Sequence, residues 1–387
     1  MNNAADSAHR VMPVLLIAAP ILASIAFVLE LTLVPLLLSE IRDVFSLDKR
    51  ALSWIFNAYA LSVALGVIAG GWLGDKVQAQ RVFQMGVVLF ALGALVTALS
   101  SNFQNLLLGR VIQGFGGGFF SPLVPILLTN AQPGKPGKIL IVWGALTGFV
   151  AALAPFLGGP LVGLVGWSVI FVVFAVFAAL ALALSATNQA NDRLMIAGLP
   201  NIGTLLRARA LWIIFGFIFC TYGCFTFFLF NQPLLLADSG RSLQFTGICL
   251  SLLWLSFALI SIALRNVVDG RYLNVVLLSS PLLIFAGFVL SYFFDVAALI
   301  FAGSMMLGAG LACCNAPSTQ LVLRFAPEGL RACSAGLDIT FARLGGVVTV
   351  GAFASLSTGV AFAGIVVLSF CGLICAWYIF RHIVSET

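Results

Sequence analysis

The chain is 387 residues long, 61% hydrophobic and only 8% charged, with a formal net charge of +6. A soluble domain carries about a quarter charged residues, so this composition excludes an ordinary water-facing surface; a lipid-facing exterior needs no such charge. The basic residues are scattered over many short loops, which excludes a nucleic-acid patch and leaves the lipid bilayer as the first partner.

A spanning helix takes roughly 20 mostly apolar residues. In chain order the apolar stretches are 12–38, 53–74, 82–100, 103–128, 139–165, 167–186, 211–236, 243–264, 272–294, 296–322, 332–356 and 358–380. The predicted fold class is therefore an all-α membrane protein of about twelve transmembrane helices. The first stretch is longer than the roughly 7–15 residues of a secretory signal core and no small-residue cleavage site follows, so it reads as a retained helix.

An even number of spans puts both termini on one side. With the N-terminus inside, the cytoplasmic loops hold Arg10, Lys76, Arg81, Lys135, Lys138, Arg193, Arg207, Arg209, Arg265, Arg271, Arg324, Arg331 and Arg381, while the outer loops hold only Arg42, Lys49, Arg50 and Arg241. The positive-inside rule then places both termini in the cytoplasm, in the cell's inner (plasma) membrane. The longest polar stretch falls after six helices and before six more. It predicts an N-terminal six-helix bundle over 1–188, a cytoplasmic linker over 189–210 and a C-terminal six-helix bundle over 211–387. Two pseudo-symmetric bundles with the transport path between them are a common plan of secondary transporters.

Catalytic and metal chemistry finds little support. His9 and His382 lie in the tails, and no Gly-rich phosphate loop with its lysine indicates ATP drive. The eight cysteines all lie in or beside apolar stretches, so no disulfide framework, metal or cofactor is expected. A membrane enzyme or receptor would need a buried catalytic group or an added soluble domain, and the sequence shows neither.

Three local patterns stand in order along the first half: Gly71-Trp72-Leu73-Gly74-Asp75-Lys76 after the second helix, Leu108-Gly109-Arg110-Val111-Ile112-Gln113-Gly114-Phe115-Gly116-Gly117-Gly118 in the fourth, and Gly144, Gly148 and Ala154-Pro155-Phe156-Leu157-Gly158-Gly159 in the fifth. Together they resemble the major facilitator superfamily, and the third is similar to the antiporter signature of its drug/proton antiporter branch, the twelve-helix bacterial exporters. Ser334-Ala335-Gly336-Leu337 through Arg343-Leu344-Gly345-Gly346 is similar to the matching helix of that branch. The patterns depart from the family at Gln78, Ala79 and Gln80, which stand where a glycine and two basic residues are usual, at Ala154 and at Ser168.

The resemblance implies that Asp75, with Lys76, pairs across the interface between the halves and favours the outward-facing state. It also implies that the fifth helix lies at the seam between them. Gly71 lets helices approach closely, and Gly144 and Gly148, one turn apart, form a groove for a neighbour's backbone. Pro155 removes a helix hydrogen bond and bends the helix, and Gly158 and Gly159 loosen it further.

Ionisable groups inside a membrane are costly and default to functional roles. Glu30 in the first helix lies about 6 Å to the outer side of the midplane at roughly 1.5 Å per residue, and Arg110 in the fourth about 8 Å to the same side. The resemblance implies that both helices line the cavity of the N-terminal half, so the two side chains can meet. A carboxylate held between a desolvating cavity and an arginine can exchange a proton as the cavity opens to either side. Glu30 is then the proton carrier, Arg110 its tuning partner, and Gln113, about one turn away, shares the hydrogen bonds of Arg110. A salt bridge that only fixes two helices is the structural alternative.

Asp338 and Arg343 are about 140° apart around the eleventh helix and are not expected to pair with each other. Asn57, Tyr59, Tyr222, Asn231, Gln232 and Asn315 are further polar candidates for the substrate cavity, with Gln113 and Arg343. The seventh helix is rich in phenylalanine, which suits an amphiphilic or planar ligand, though rings so closely spaced point in many directions. The function expected is a proton-coupled exporter (antiporter) of small organic molecules, such as drugs or a secreted metabolite, acting as a monomer. The alternative is a proton-coupled importer or facilitator of a siderophore, sugar or other metabolite on the same fold.

Overall fold

The computed structural model describes residues 2–132, 134, 136–186, 207–264, 272–327 and 330–384. The expected linker up to residue 206, and Lys135, Arg193, Arg265 and Arg271, lie outside the described residues, as do the side chains of His9, Arg10, Asp75, Lys76, Arg331 and His382.

Among the described residues, twelve helices are long and apolar enough to cross a membrane. In chain order they are α1 (Asn2–Val44), α2 (Lys49–Lys76), α3 (Ala79–Ala98), α4 (Phe103–Phe120, continued by a 3-10 turn Ser121–Leu123 into Val124–Ala131) and α5 (Pro136–Val165). There follow α6 (Trp167–Ala186), α7 (Arg209–Asp238), α8 (Leu243–Leu264), α9 (Leu273–Phe293), α10 (Ala297–Phe325), α11 (Arg331–Phe353) and α12 (Thr358–Tyr378). Several run past their apolar stretch because charged residues such as Arg42, Lys49 and Arg50 are good helix formers. The joints are short. Asp48 caps α2 by accepting from Ala51 N at 2.7 Å, and Asn102 caps α4 by accepting from Asn105 N at 2.8 Å. Gly166, at φ 79°, turns the chain from α5 to α6 in a single residue, a left-handed conformation that glycine adopts without strain.

The packing repeats. In the first half α1 lies on α5 and α6, α2 on α4, and α3 on α4 and α6. In the second half α7 lies on α11 and α12, α8 on α10, and α9 on α10 and α12, which is the same pattern six helices later. The halves meet through α2 against α11 and α5 against α8, two pairings that the same shift exchanges.

Glycine sets the closest crossings. On α4, Gly114 and Gly118 face the Tyr59 and Val63 carbonyls of α2, while Gly66 and Gly70 of α2 face the Phe115 and Phe119 carbonyls of α4; a Cβ at any of these positions would collide with backbone. The second half repeats the device where Gly308 of α10 meets the Leu253 carbonyl of α8. In lipid, where apolar burial drives nothing, such backbone proximity supplies the packing energy.

The halves touch at the end that carries the α1–α2 and α7–α8 joints. There Asp238 of α7 accepts from Arg42 of α1 at 2.7 Å, and Lys49 of α2 stands 3.7 Å from its second oxygen. At the same end a Cβ on Gly159 of α5 would meet the Leu243 carbonyl of α8 at 2.7 Å, and one on Gly247 of α8 would collide with the Pro155 carbonyl. Towards the opposite end of the seam helices, Gly71, Gly144 and Gly336 have nothing within 4 Å.

Candidate functional site

The site begins with a charge in the wrong solvent. Arg110 of α4 is 1% exposed, and Nη2 donates to Glu30 Oε1 of α1 at 2.6 Å, where the carboxylate side chain is 3% exposed. The remaining guanidinium hydrogens are aimed as well: Nη1 donates to Gln113 Oε1 at 2.8 Å and Nε to the Ile55 carbonyl of α2 at 3.2 Å. Tyr59 lies with its ring centre 4.2 Å from the guanidinium carbon and Phe171 of α6 at 5.5 Å, a cation–π arrangement that strengthens as water is removed. One cation therefore draws α1, α2, α4 and α6 together. A buried pair of this kind is stable only while both partners and their hydrogen bonds are present.

Glu30 and Arg110 form part of the wall of a cavity of about 490 Å³ between the two halves. The first half also contributes Leu31, Val34, Phe56, Tyr59 and Ala60. From the second half come Tyr222, Phe225, Thr226 and Leu229 of α7, Trp254 and Phe257 of α8, Leu311, Asn315 and Thr319 of α10, and Ala335, Asp338, Ile339, Ala342 and Arg343 of α11. Tyr222 donates to Asn315 at 2.6 Å, and Thr319 donates to Asp338 Oδ2 at 2.7 Å, so hydroxyls tie α7 to α10 and α10 to α11. Tyr222, Phe225, Trp254 and Phe257 make a chain of edge-to-face contacts with centroids 6.4, 5.7 and 5.9 Å apart. The wall is thus aromatic with a few fixed polar groups, the usual make-up of a small-molecule site.

Of the residues expected in the substrate cavity, Tyr59, Tyr222, Asn315 and Arg343 line it, and four, Asn57, Gln113, Asn231 and Gln232, are not among its lining. Asn57 is directed at α11, its Nδ2 3.3 Å from where a Cβ on Gly351 would stand. Gln113 sits behind Arg110, packed on Gly93 of α3. Asn231 donates to the hydroxyl of Tyr292 on α9 instead. Most of the phenylalanines of α7 also turn away: Phe215 stacks on Phe341 at 4.9 Å, Phe228 meets Phe288 at 5.4 Å, and Phe230 meets Phe56 at 5.8 Å.

The expected close approaches on α2 and α5 fall on different glycines. Gly71 faces open space, and its neighbour Gly70 carries the contact with α4. Gly144 is open and Gly148 has only an ordinary contact, 3.8 Å to the Ala258 side chain, whereas Gly158 packs against Leu33 of α1 and Gly159 against the α8 backbone. Pro155 and Pro160 are both accommodated within one continuous helix. Trp254 and Phe257 were not anticipated, but a signal existed. Tryptophan prefers membrane interfaces, and Trp254 stands at the middle of its span, where a ring with an N–H is out of place unless it faces a cavity.

A sequence profile of the Major Facilitator Superfamily matches residues 20–350. The chain belongs to this superfamily. It is 32% identical over 146 residues to the Methylenomycin A resistance protein of Bacillus subtilis (37% of this chain, 31% of that protein). It is 32% identical over 174 residues to the Multidrug resistance protein B homolog of Mycobacterium tuberculosis (45% and 32%) and 31% identical over 144 residues to the Tetracenomycin C resistance and export protein of Streptomyces glaucescens (37% and 27%). The matches span about a third of the length of these relatives or less. Among solved structures, a D-xylose-proton symporter superposes with a TM-score of 0.78 at 15% identity, covering 96% of this chain and 97% of that one. A bacterial homolog to the human lysosomal transporter Spinster, in an inward-facing and occupied conformation, does so with 0.75 at 17% identity, covering 96% of each. Likeness at this identity establishes the fold.

Proposed function

We propose that this member of the superfamily is a proton-coupled exporter of small organic molecules, working by alternating access as a monomer in the cell's inner membrane with both termini cytoplasmic. One observation carries the reading: a fully buried carboxylate–guanidinium pair, Glu30 with Arg110, forms part of the wall of the cavity between the halves. Protonation of Glu30 removes the charge that Arg110 holds and leaves the guanidinium with the Ile55 carbonyl and Gln113 as acceptors. Proton binding and substrate binding then compete through one pair of side chains, which is the requirement for exchange. The export direction is supported by relatives named for drug resistance and export and by the antiporter-like pattern through Gly144, Gly148, Pro155, Gly158 and Gly159. The importer reading has only the likeness of fold behind it. In the proposed orientation the end bearing Arg42, Lys49 and Asp238 is the outer end and is closed, so the cavity faces inward.

The experiment is proton movement in proteoliposomes holding a pH-sensitive dye, challenged with antibiotics to which expression of the chain confers resistance. The wild type is expected to couple compound and proton flux. Glu30→Gln is expected to lose the proton flux while still exchanging labelled compound across the membrane. Proton flux at the wild-type level in Glu30→Gln contradicts the reading.

A further inference from the structure

The cavity wall carries two acids, Glu30 and Asp338, and two bases, Arg110 and Arg343, but only Glu30 and Arg110 form an ion pair among the described residues. Glu30 and Arg110 neutralise each other, and Asp338 accepts from Thr319. Arg343, near the middle of α11 and on the cavity wall, makes no hydrogen bond or ion pair among the described residues. A guanidinium keeps its charge in a protein, and a cation at this depth with no contacting partner is expensive unless it meets water or an anion. Tyr59 from the first half and Tyr222 from the second line the same cavity, so Arg343 stands where the halves face one another. The second-half wall that shares the cavity with it is the aromatic chain through Phe225, Trp254 and Phe257.

We propose that the cavity takes aromatic organic anions: Arg343 holds the carboxylate or other single anionic group of a substrate whose planar body packs on Phe225, Trp254 and Phe257. The planar guanidinium can meet a carboxylate with two parallel hydrogen bonds, which fixes orientation as well as charge. A cationic ligand of the same shape is repelled. The inference rests on the reading of this cavity as the transport site.

The test is equilibrium binding of radiolabelled 2-naphthoate to the full chain in lipid nanodiscs, with 2-naphthamide and 2-naphthylmethylamine as neutral and cationic competitors. The wild type is expected to bind naphthoate and to be displaced poorly by the amine. Arg343→Gln is expected to lose about tenfold or more of the naphthoate affinity, the size of one lost charge-assisted contact, with naphthamide binding unchanged; Arg343→Lys is expected to fall between the wild type and Arg343→Gln, since it keeps the charge and loses the second parallel hydrogen bond. A measurement on the unaltered chain guards against a variant that fails to fold: naphthoate slows phenylglyoxal modification of Arg343, read by mass spectrometry, and the amine does not. The proposal is overturned by absence of naphthoate binding to the wild type, by displacement with the amine as strong as with naphthoate, by unchanged affinity in a folded Arg343→Gln, or by lack of protection. Arg343-dependent binding together with normal proton flux in Glu30→Gln retains the anion site and removes only the exporter reading. Unchanged naphthoate binding in Arg343→Gln, with proton flux lost in Glu30→Gln, does the reverse.

Discussion

The guanidinium of Arg110 has three acceptors on three different surfaces, Glu30 of α1, the Ile55 carbonyl of α2 and Gln113 of its own helix. Removing the arginine therefore does more than delete a contact, because it leaves the Glu30 carboxylate buried with nothing to balance it. Arg110→Ala is expected to destabilise the fold by about 3–5 kcal/mol, as breaking a buried pair from one side does. The double variant Glu30→Gln/Arg110→Gln is expected to recover much of that loss. Thermal unfolding in detergent measures both; a double variant no more stable than Arg110→Ala contradicts a charge-balance origin. The pairing could be anticipated from depth alone, since counting residues from mid-span puts Glu30 and Arg110 at similar heights. The cavity lining could not. Asn57, Gln113 and Asn231 are polar in apolar spans, as Tyr222 and Asn315 are, but which way each points depends on how its helix is rotated, and a helix hydrophobic all round gives no phase for that rotation. Trp254 was legible in principle because its position along the span is itself anomalous.

At the scale of a helix, the same lack of phase separates Gly70 from Gly71. Adjacent residues on a helix point about 100° apart, so of Gly71, which opens the α2 motif, and Gly70 just before it only one can face α4. Gly70 does, with the Phe119 carbonyl in the place of a side chain, and Gly71 faces open space. Gly118→Ala and Gly70→Ala are expected to force α2 and α4 apart at a cost of about 1–3 kcal/mol, the range for overpacking a close contact. Gly71→Ala is expected to be neutral or to stabilise the helix by up to about 1 kcal/mol through propensity. Melting curves of the three variants decide it, and equal losses at all three contradict this crossing. Helix number and order were readable because span length is set by the bilayer and does not depend on rotation. The contacts made by Gly158 and Gly159, in place of those expected at Gly144 and Gly148, were not readable, because which part of α5 touches α8 depends on which end of the molecule is closed.

That closure is a property of the whole molecule, and its most specific feature is Asp238. This one carboxylate from the second half is held by Arg42 and Lys49, both from the first. The three side chains are partly exposed, so each contact is worth about 0.2–1 kcal/mol and is weakened by salt. Both contacts exist only while this end is shut, because a rocking of the halves that opens it must pull α7 away from α1 and α2. Energy present in one state alone shifts the balance between states. Removing about 1 kcal/mol of it changes their ratio by roughly fivefold. Asp238→Asn is therefore expected to raise the population open at this end by a few-fold. Spin labels at Ser46 and Ser242, on either side of the closure and both exposed, report the change as a longer-distance component. High salt is expected to produce the same component in the wild type and little further change in Asp238→Asn. An identical distance distribution in wild type and variant at low salt places the closing energy elsewhere, in the backbone contact of Gly159 with α8 and of Gly247 with the Pro155 carbonyl, and removes the ion pairs from the mechanism of closure.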